Sequence, residues 1–165
     1  MIYEQLRLEN QICFPIYVAS RLFVREYQPY LDPLNITYPQ YLVLMVLWET
    51  DERAVGEIAE RLLLNTNTIT PLLKRMESQG LVVRRRAKDD ERKVIVALTE
   101  QGQQLQADAA KIPALFVSNL VEDAVNLEEL VKLRDKLNNI IDQLTNLPQN
   151  LDPSESGWGA IRKTL

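Results

Sequence analysis

The stretch that decides the fold is Asn65-Thr-Asn-Thr-Ile-Thr-Pro-Leu-Leu-Lys-Arg-Met-Glu-Ser-Gln-Gly80. It predicts a helix, because Asn and Thr cap helix N-termini, proline is tolerated near the first turn and glycine commonly ends a helix. Five of its first six residues have short polar side chains, which is more than a single cap needs. The stretch therefore predicts a helix whose polar N-terminal end can contact another molecule.

A β-hairpin is predicted directly after this helix. Leu81-Val-Val-Arg-Arg-Arg86 and Lys93-Val-Ile-Val-Ala-Leu98 are rich in β-branched residues and flank the polar turn 87–91. Residues 65–93 carry eight Lys and Arg against four Asp and Glu, whereas the whole chain has a net charge of −4. A basic module inside an acidic chain indicates a localised site for a polyanion. On charge alone, a merely solvated hairpin is the alternative.

Amphipathic helices are predicted on both sides of this module. Apolar spacing indicates helices over about 9–27, 37–48 and 55–64, with the first ending before Pro29. Capping boxes are predicted at Thr37–Gln40 and at Asn126–Glu129, and Thr99 caps a helix that is interrupted at Pro113. The apolar stripe of the last helix forms either core or a dimer seam. Two helices followed by a hairpin predict a mainly α fold with a small β-hairpin wing, a winged helix-turn-helix.

Composition excludes several classes of protein. The 165 residues are 46% apolar and 25% charged, an ordinary globular balance. There is no His and only one Cys, so His-based catalysis, a thiolate zinc site and a disulfide framework are excluded, and no nucleotide-binding fingerprint is present. Neither enzymatic activity nor a cofactor or metal is expected. Because the N-terminus lacks an apolar signal core and no apolar run exceeds Tyr41–Trp48, a cytoplasmic protein without membrane contact is predicted.

The polar helix end and the basic hairpin are the predicted DNA-contacting surface. The N-terminal end of such a helix approaches base edges and phosphates in the major groove, and an arginine on a hairpin tip can enter the narrow minor groove. Arg92 is the predicted minor-groove residue, with Asp90 holding its guanidinium in a charge-assisted pair. The predicted set is Asn65, Thr66, Asn67, Thr68, Thr70, Lys74, Arg75, Arg84, Arg85, Arg86, Lys88, Asp90 and Arg92.

The stretch Leu64–Glu77, followed by Gly80-Leu81 and Asp89-Asp-Glu-Arg92, resembles the recognition helix and wing of the MarR family of bacterial regulators. The resemblance covers roughly residues 8–146. It implies a triangular α-helical dimer that dimerises through its N- and C-terminal helices. It also implies that the dimer binds double-stranded DNA at a palindromic operator, with one half-site for each subunit.

Cys13 is the candidate reactive residue. Most lone cysteines are small buried hydrophobes. Cys13, however, lies near the start of the first predicted helix, where the helix dipole favours a thiolate, and the hydroxyls of Tyr17, Tyr27 and Tyr38 can stabilise a thiolate by hydrogen bonding. Cys13 and Tyr27 are separated by about 21 Å on one straight helix. They meet only if the helix breaks or if an antiparallel partner subunit brings them together.

The segments 8–17, 27–33 and 37–44 are similar to the organic-hydroperoxide-sensing branch of the same family. The resemblance implies that Cys13 is the peroxide sensor, that tyrosines matching Tyr27 and Tyr38 reach its thiolate from the other subunit, and that Tyr17 matches another pocket tyrosine. Oxidation to sulfenic acid, followed by further oxidation or a mixed disulfide with a low-molecular-weight thiol, then releases the operator.

The chain departs from that branch in two respects. A second, resolving cysteine found in some members is absent, so only the one-cysteine route is available. Pro15 stands two residues after the cysteine, and it either places Cys13 before the first full turn or kinks the helix.

These expectations divide the chain into four parts. They are a dimerisation helix with the sensor cysteine (1–32), the winged helix-turn-helix (33–99), C-terminal dimerisation helices (100–147) and a flexible tail (148–165). The predicted function is a homodimeric repressor that senses organic hydroperoxides through Cys13. The alternative is a regulator of the same fold that binds a small phenolic or lipophilic ligand, with Cys13 structural. A helical scaffold that binds protein partners is a third hypothesis, but it does not explain the basic hairpin.

Overall fold

A computed structural model describes residues 3–87, 90, 92–120 and 126–147 of the chain. Most of these residues are in helices. Two compact units are present, Met1–Phe116 and Val117–Leu165. The predicted tail 148–165 lies outside the described residues. The helices are α1 (Cys13–Leu31), α2 (Tyr38–Glu49), α3 (Val55–Arg61), α4 (Thr66–Ser78), α5 (Glu100–Ala109), α6 (Ile112–Leu120) and α7 (Leu127–Thr145), with short 3-10 turns at Glu4–Leu6, Leu8–Asn10 and Asp32–Leu34.

A three-stranded antiparallel sheet contains the predicted hairpin. Its strands are β1 (Arg53–Ala54), β2 (Val82–Arg86) and β3 (Val94–Leu98), in the order β1-β3-β2. In the hairpin, Arg84 pairs with Val96 and Arg86 with Val94. The two-residue strand β1 was not predicted, because two residues are too few to show an alternating pattern.

Helix starts follow the predicted caps. The backbone N–H of Thr37 donates to Oε1 of Gln40 at 2.8 Å, and the N–H of Glu129 donates to Oδ1 of Asn126 at 2.9 Å. The N–H of Gly102 donates to Oγ1 of Thr99 at 3.0 Å, which opens α5. Each contact satisfies a backbone donor in or beside a first turn, so these caps are confirmed.

Prolines shape α1 differently from the prediction. Pro15 is the third residue of α1, where a backbone N–H has no helical partner, so the helix begins at Cys13 and needs no kink there. The predicted end before Pro29 is wrong, because α1 continues to Leu31. Pro29 lies in the last turn and removes a single hydrogen bond, while the fully buried Leu31 anchors the helix end in the core.

The core of the first unit fixes which face of α4 points outward. Ile69, Leu73 and Met76 of α4 are fully buried, and they pack in one cluster with Leu44 and Leu47 of α2. This apolar stripe has helical spacing, so the polar residues between its members are left on the opposite face. The fold therefore presents the polar face of α4 to solvent.

The second unit contains α7, which follows the Asn126 cap. Its helix is stabilised by an (i, i+4) ion pair in which Nζ of Lys132 lies 2.6 Å from Oε1 of Glu128. Leu130 and Leu137 of α7 are half-buried, and its other large apolar side chains are exposed, namely Leu127, Val131, Leu133, Ile140, Ile141 and Leu144. Among the described residues, no helix has the length and apolar content needed to cross a membrane.

Candidate DNA-binding surface and sensor site

Helix α4 places the predicted DNA-contacting side chains at its N-terminal end. Asn65 is the N-cap, and its Oδ1 accepts hydrogen bonds from the backbone N–H and from Oγ1 of Thr68, both at 3.0 Å. Thr66 and Asn67 are exposed beside this cap, and Thr70 is half-buried one turn further on. Asn65 and Thr68 are thus engaged with each other, whereas Thr66 and Asn67 point outward.

Two basic residues follow on the exposed side of the same helix. Lys74 and Arg75 lie nine and ten residues after the cap, in the second half of α4, and both are exposed. Lys74 lies seven residues after Asn67 on α4, so these two side chains share one face of the helix and Lys74 adds positive charge there. This arrangement suits contact with phosphates that flank a groove.

Arg84 of strand β2 is held by α4. Its backbone N–H donates to Oε1 of Glu77 at 3.1 Å, and its Nε and Nη2 donate to Oε2 at 2.9 and 2.7 Å. The side-chain hydrogen bonds from Arg84 hold the pKa of the Glu77 carboxyl below its usual value. This contact joins α4 to the base of the wing, which comprises residues 82–98.

Arg85 and Arg86, the other two arginines of β2, differ from Arg84 in their contacts and exposure. Nη2 of Arg85 lies 2.7 Å from Oε1 of Glu52 in the turn before β1. Glu52 has a positive φ of 59°, and the adjacent Asp51 accepts a hydrogen bond from the N–H of Leu98 in β3. Arg86 is exposed.

The turn of the wing contains the predicted acidic and basic pair. Oδ1 of Asp90 accepts hydrogen bonds from the backbone N–H of Arg92 at 3.0 Å and from its Nε at 3.3 Å. The Arg92 side chain is 94% exposed, so this contact orients the guanidinium without removing it from solvent. Lys88, also predicted to contact DNA, lies outside the described residues.

Cys13 is the first residue of α1 and is exposed. Tyr17 lies one turn later, and its hydroxyl accepts a hydrogen bond from Nη1 of Arg21 at 3.3 Å. The Arg21 guanidinium also lies 5.5 Å from the centre of the Tyr17 ring. The first half of α1 thus carries the thiol, a phenol and a cation.

Tyr27 and Tyr38 form an aromatic cluster in the first unit. Their ring centres are 5.2 Å apart, Phe116 stacks on Tyr27 at 4.2 Å, and Tyr41 lies 6.3 Å from both tyrosines. Burial, with smaller contributions from Tyr38 and Tyr41, raises the pKa of Tyr27 to about 12. Burial also raises the pKa of Tyr38 and of Tyr41. All three phenols therefore keep their protons at neutral pH and can donate hydrogen bonds.

Within one chain, the structure brings Tyr27 and Tyr38 together but leaves Cys13 at the opposite end of α1. Fourteen residues of continuous helix separate Cys13 from Tyr27, which corresponds to about 21 Å. Tyr41 was missed as a member of the cluster. Its position three residues after Tyr38 on α2 was the available signal, because side chains at that spacing share a helix face.

A groove of about 950 Å³ lies beside α4 in the first unit. Gln28 of α1, Gln40 of α2, and Leu72 and Arg75 of α4 line it, together with residues of the segments that connect these helices. Most of its lining residues are polar or charged, and the others are apolar, among them Leu64 and Leu72.

A helix-turn-helix with an exposed polar helix end, next to an antiparallel basic hairpin, defines a winged-helix DNA-binding protein. Residues 25–109 match the family described as "Transcriptional regulator SarA/Rot". The chain is 44% identical over 128 residues to the organic hydroperoxide resistance transcriptional regulator of Bacillus subtilis (strain 168), an alignment that spans 78% of this chain and 87% of that protein. The chain therefore belongs to the MarR family of winged-helix transcriptional regulators, in the branch that contains organic hydroperoxide resistance regulators.

Solved structures agree with this assignment. Reduced AbfR bound to DNA matches with a TM-score of 0.69 and 37% identity, covering 88% of this chain and 100% of that one. Overoxidized AbfR bound to DNA matches with a TM-score of 0.69 and 39% identity, covering 86% and 97%. The winged helix-turn-helix fold and the family resemblance predicted from the sequence are thus confirmed.

Proposed function

We propose that the chain is a homodimeric transcriptional repressor that senses organic hydroperoxides through oxidation of Cys13 and then releases a palindromic operator. The observation that carries the proposal is the position of Cys13, exposed at the first residue of α1 in a protein with a winged-helix DNA-binding surface. The similarity to a hydroperoxide resistance regulator supports the choice of signal. The similarity to AbfR, which has been solved on DNA in reduced and overoxidized forms, supports a cysteine-based response.

A second copy of the chain completes the sensor site in this proposal. Large apolar side chains are exposed on α1, among them Phe14, Ile16 and Leu22, and on α7 as well. Two such faces are more than a monomeric protein commonly leaves in water, and they suit a dimer seam. An antiparallel α1 of the partner subunit would set Cys13 of one protomer near Tyr27 and Tyr38 of the other. Residues 1–32 and 100–147 are accordingly assigned to dimerisation and 33–99 to DNA binding.

The chemistry of the response follows from the thiol and the neutral phenols. The Cys13 thiolate attacks one peroxide oxygen, the O–O bond breaks, and the alcohol leaves with a proton, so the sulfur loses two electrons and becomes a sulfenic acid. A low-molecular-weight thiol then condenses with the sulfenic acid, forming a mixed disulfide and releasing water. Since Tyr27 and Tyr38 keep their protons, their hydroxyls stabilise the thiolate as donors, and oxidation removes the anion that they bind.

The same reasoning favours a regulator over an enzyme. The chain has a single cysteine, so an oxidised Cys13 has no resolving partner within its own chain and is restored only by an external thiol. The protein therefore responds once for each oxidation. Because its proposed operator is chromosomal, we assign the protein to the cytoplasm.

The groove beside α4 favours one second candidate, a regulator of the same fold that binds a small phenolic or lipophilic ligand. In that case Cys13 is structural. The two candidates differ in what removes the protein from DNA and in whether Cys13 matters.

Fluorescence anisotropy on duplexes from the upstream region of its own gene tests the proposal. Wild type and Cys13→Ser are titrated onto DNA with and without a stoichiometric organic hydroperoxide. The sensor predicts that both proteins bind and that only wild type is released. Binding without release by either protein rejects the peroxide sensor and favours the ligand-responsive candidate, whereas failure to bind any duplex rejects the repressor function itself.

A further inference from the structure

We propose that Glu77 and Arg84 act as positioning residues that fix the wing to α4, and that Arg86 is the arginine of β2 that reaches DNA. The inference rests on the DNA-binding part of the proposed function and is independent of hydroperoxide sensing. It changes the role of Arg84, whose charge alone had placed it among the DNA-contacting residues.

The first support is the geometry of the Glu77–Arg84 contact. Three donors of Arg84 are directed to both oxygens of one carboxylate, at 2.7 to 3.1 Å. The Arg84 side chain is only 22% exposed. Charge-assisted contacts of this kind are strong and geometrically specific. A phosphate contact would require Arg84 to leave this arrangement, and the partly buried Glu77 carboxylate would then lose the cation that it binds.

Strand β2 is also held on its other face, through an ion pair between Arg85 and Glu52. Alternate residues of a strand point to opposite faces, so Arg85 points away from the face that carries Arg84 and Arg86. Arg85 pairs with Glu52, and the neighbouring Asp51 accepts the N–H of Leu98 in β3. The base of the wing is thereby attached to α4 on one face and to the turn before β1 on the other.

The position of Arg86 follows from the same alternation. It lies on the face of Arg84, two residues or about 6.6 Å further toward the turn. It is exposed, and it pairs through the backbone with Val94 at the end of the ladder. The Arg84–Glu77 and Arg85–Glu52 contacts therefore fix the segment of β2 that carries Arg86 relative to α4.

The dependence of DNA affinity on salt separates a positioning arginine from a phosphate contact. Each phosphate contact in a duplex adds about 0.9 to the slope of log affinity against log salt. A dimer that loses one contact in each subunit should therefore lose about 1.8 from the slope. Loss of a positioning residue weakens specific binding but leaves the slope unchanged, because the number of neutralised phosphates is the same.

The experiment compares Arg84→Met, Arg86→Met, Glu77→Gln and the double variant Glu77→Gln/Arg84→Met on a specific and an unrelated duplex, over a series of salt concentrations. We expect Arg84→Met to bind the specific duplex about tenfold more weakly with an unchanged slope. Arg86→Met, the matched control two residues away, should reduce the slope by about 1.8. Far-ultraviolet circular dichroism and thermal melting establish that each variant is folded before its affinity is interpreted.

Glu77→Gln is a further test, because a positioning role and simple charge repulsion predict opposite changes in DNA affinity. Removing a negative charge near DNA raises affinity if the carboxylate only repels phosphates. If Glu77 positions the wing, specific affinity falls despite the more favourable charge, and the double variant is no weaker than the weaker single variant. A reduced slope for Arg84→Met, or tighter specific binding by Glu77→Gln, overturns the inference. Failure of wild type to bind either duplex overturns the DNA-binding function on which the inference depends.

Discussion

The side-chain amide of Gln40 donates a hydrogen bond to the side-chain carbonyl of Gln79, which joins the first turn of α2 to the C-terminal cap of α4. Gln40 is only 4% exposed, and its Oε1 also accepts the N–H of Thr37. Tyr38 stands directly after Thr37 and belongs to the aromatic cluster. The backbone next to Tyr38, a proposed sensor residue, is therefore linked to α4, the helix proposed to bind DNA. The link consists of the Thr37–Gln40 and Gln40–Gln79 hydrogen bonds.

Substitution of Gln79 by Leu should weaken this connection. The amide of Gln40 would lose its acceptor in a buried position, at a cost of about 1–3 kcal/mol in the free energy of unfolding. We also expect the ratio of DNA affinities of the reduced and oxidised protein to move toward one, because the hydrogen bond that links α2 to α4 is lost. Chemical denaturation and fluorescence anisotropy measure the two effects.

Gln79→Glu is the matched control for this prediction. A glutamate at this position keeps an acceptor for the Gln40 amide, so the ratio of affinities should remain as in wild type. A ratio that is unaffected in Gln79→Leu, while stability falls, assigns the contact to folding alone and contradicts the coupling.

Two glycines in helices should respond in opposite directions to alanine. In Gly102, an added Cβ would collide with the backbone carbonyl of Leu81, and the Gly102 carbonyl accepts the indole N–H of Trp48 at 3.0 Å. Gly102→Ala should therefore lower the free energy of unfolding by at least about 2 kcal/mol. Gly56 has open space around its Cβ position, so Gly56→Ala should raise it by about 0.4–1 kcal/mol.

Denaturant unfolding at a fixed protein concentration measures both changes, since a dimer's apparent stability depends on concentration. Equal effects of the two substitutions would contradict the close packing of α5 against the residues before β2.

Local features of this fold were predictable, and long-range ones were not. Two helix caps were predictable because their partners are only three residues apart, Thr37 with Gln40 and Asn126 with Glu129. The hairpin was predictable from two short runs of β-branched residues. Strand β1 exists only through its pairing with β3, some forty residues later. The pattern of residues therefore contained no local signal for it.

The functional residues show the same limit. Arg84 carries the charge of a DNA contact, and only the packing of β2 beside α4 shows that Glu77 occupies its donors. Cys13 and Tyr27 were correctly expected to be too far apart on one helix, but the predicted contact across a dimer depends on a second chain. That contact remains a prediction.

Raising the pH should destabilise the protein through the tyrosines of its aromatic cluster. Burial raises the pKa of Tyr27 from 10.0 to about 12, so the unfolded chain releases this proton at a lower pH than the folded one. Stability from this group is complete below pH 10 and is lost as the pH rises through 12, by up to about 3 kcal/mol. Tyr38 and Tyr41 shift in the same direction.

Urea unfolding of wild type and Tyr27→Phe at pH 9 and pH 11 isolates this effect from the titration of lysines. The loss of stability between the two pH values should be smaller in Tyr27→Phe, which has no phenol to ionise. Identical losses would place the Tyr27 hydroxyl in solvent, contrary to its position in the aromatic cluster.

Substitutions of Asn65 and Asn67, at the N-terminal end of α4, should affect stability and DNA recognition differently. Oδ1 of Asn65 caps α4 through Thr68, so Asn65→Ala should lower the free energy of unfolding by about 1 kcal/mol and weaken binding to every duplex. Asn67 is exposed, and Asn67→Ala should leave stability within about 0.5 kcal/mol of wild type while lowering the preference for the specific duplex. Thermal melts and paired titrations on specific and unrelated DNA measure both quantities. If Asn67→Ala weakens binding to the two duplexes equally, Asn67 contacts the phosphate backbone and does not read a base.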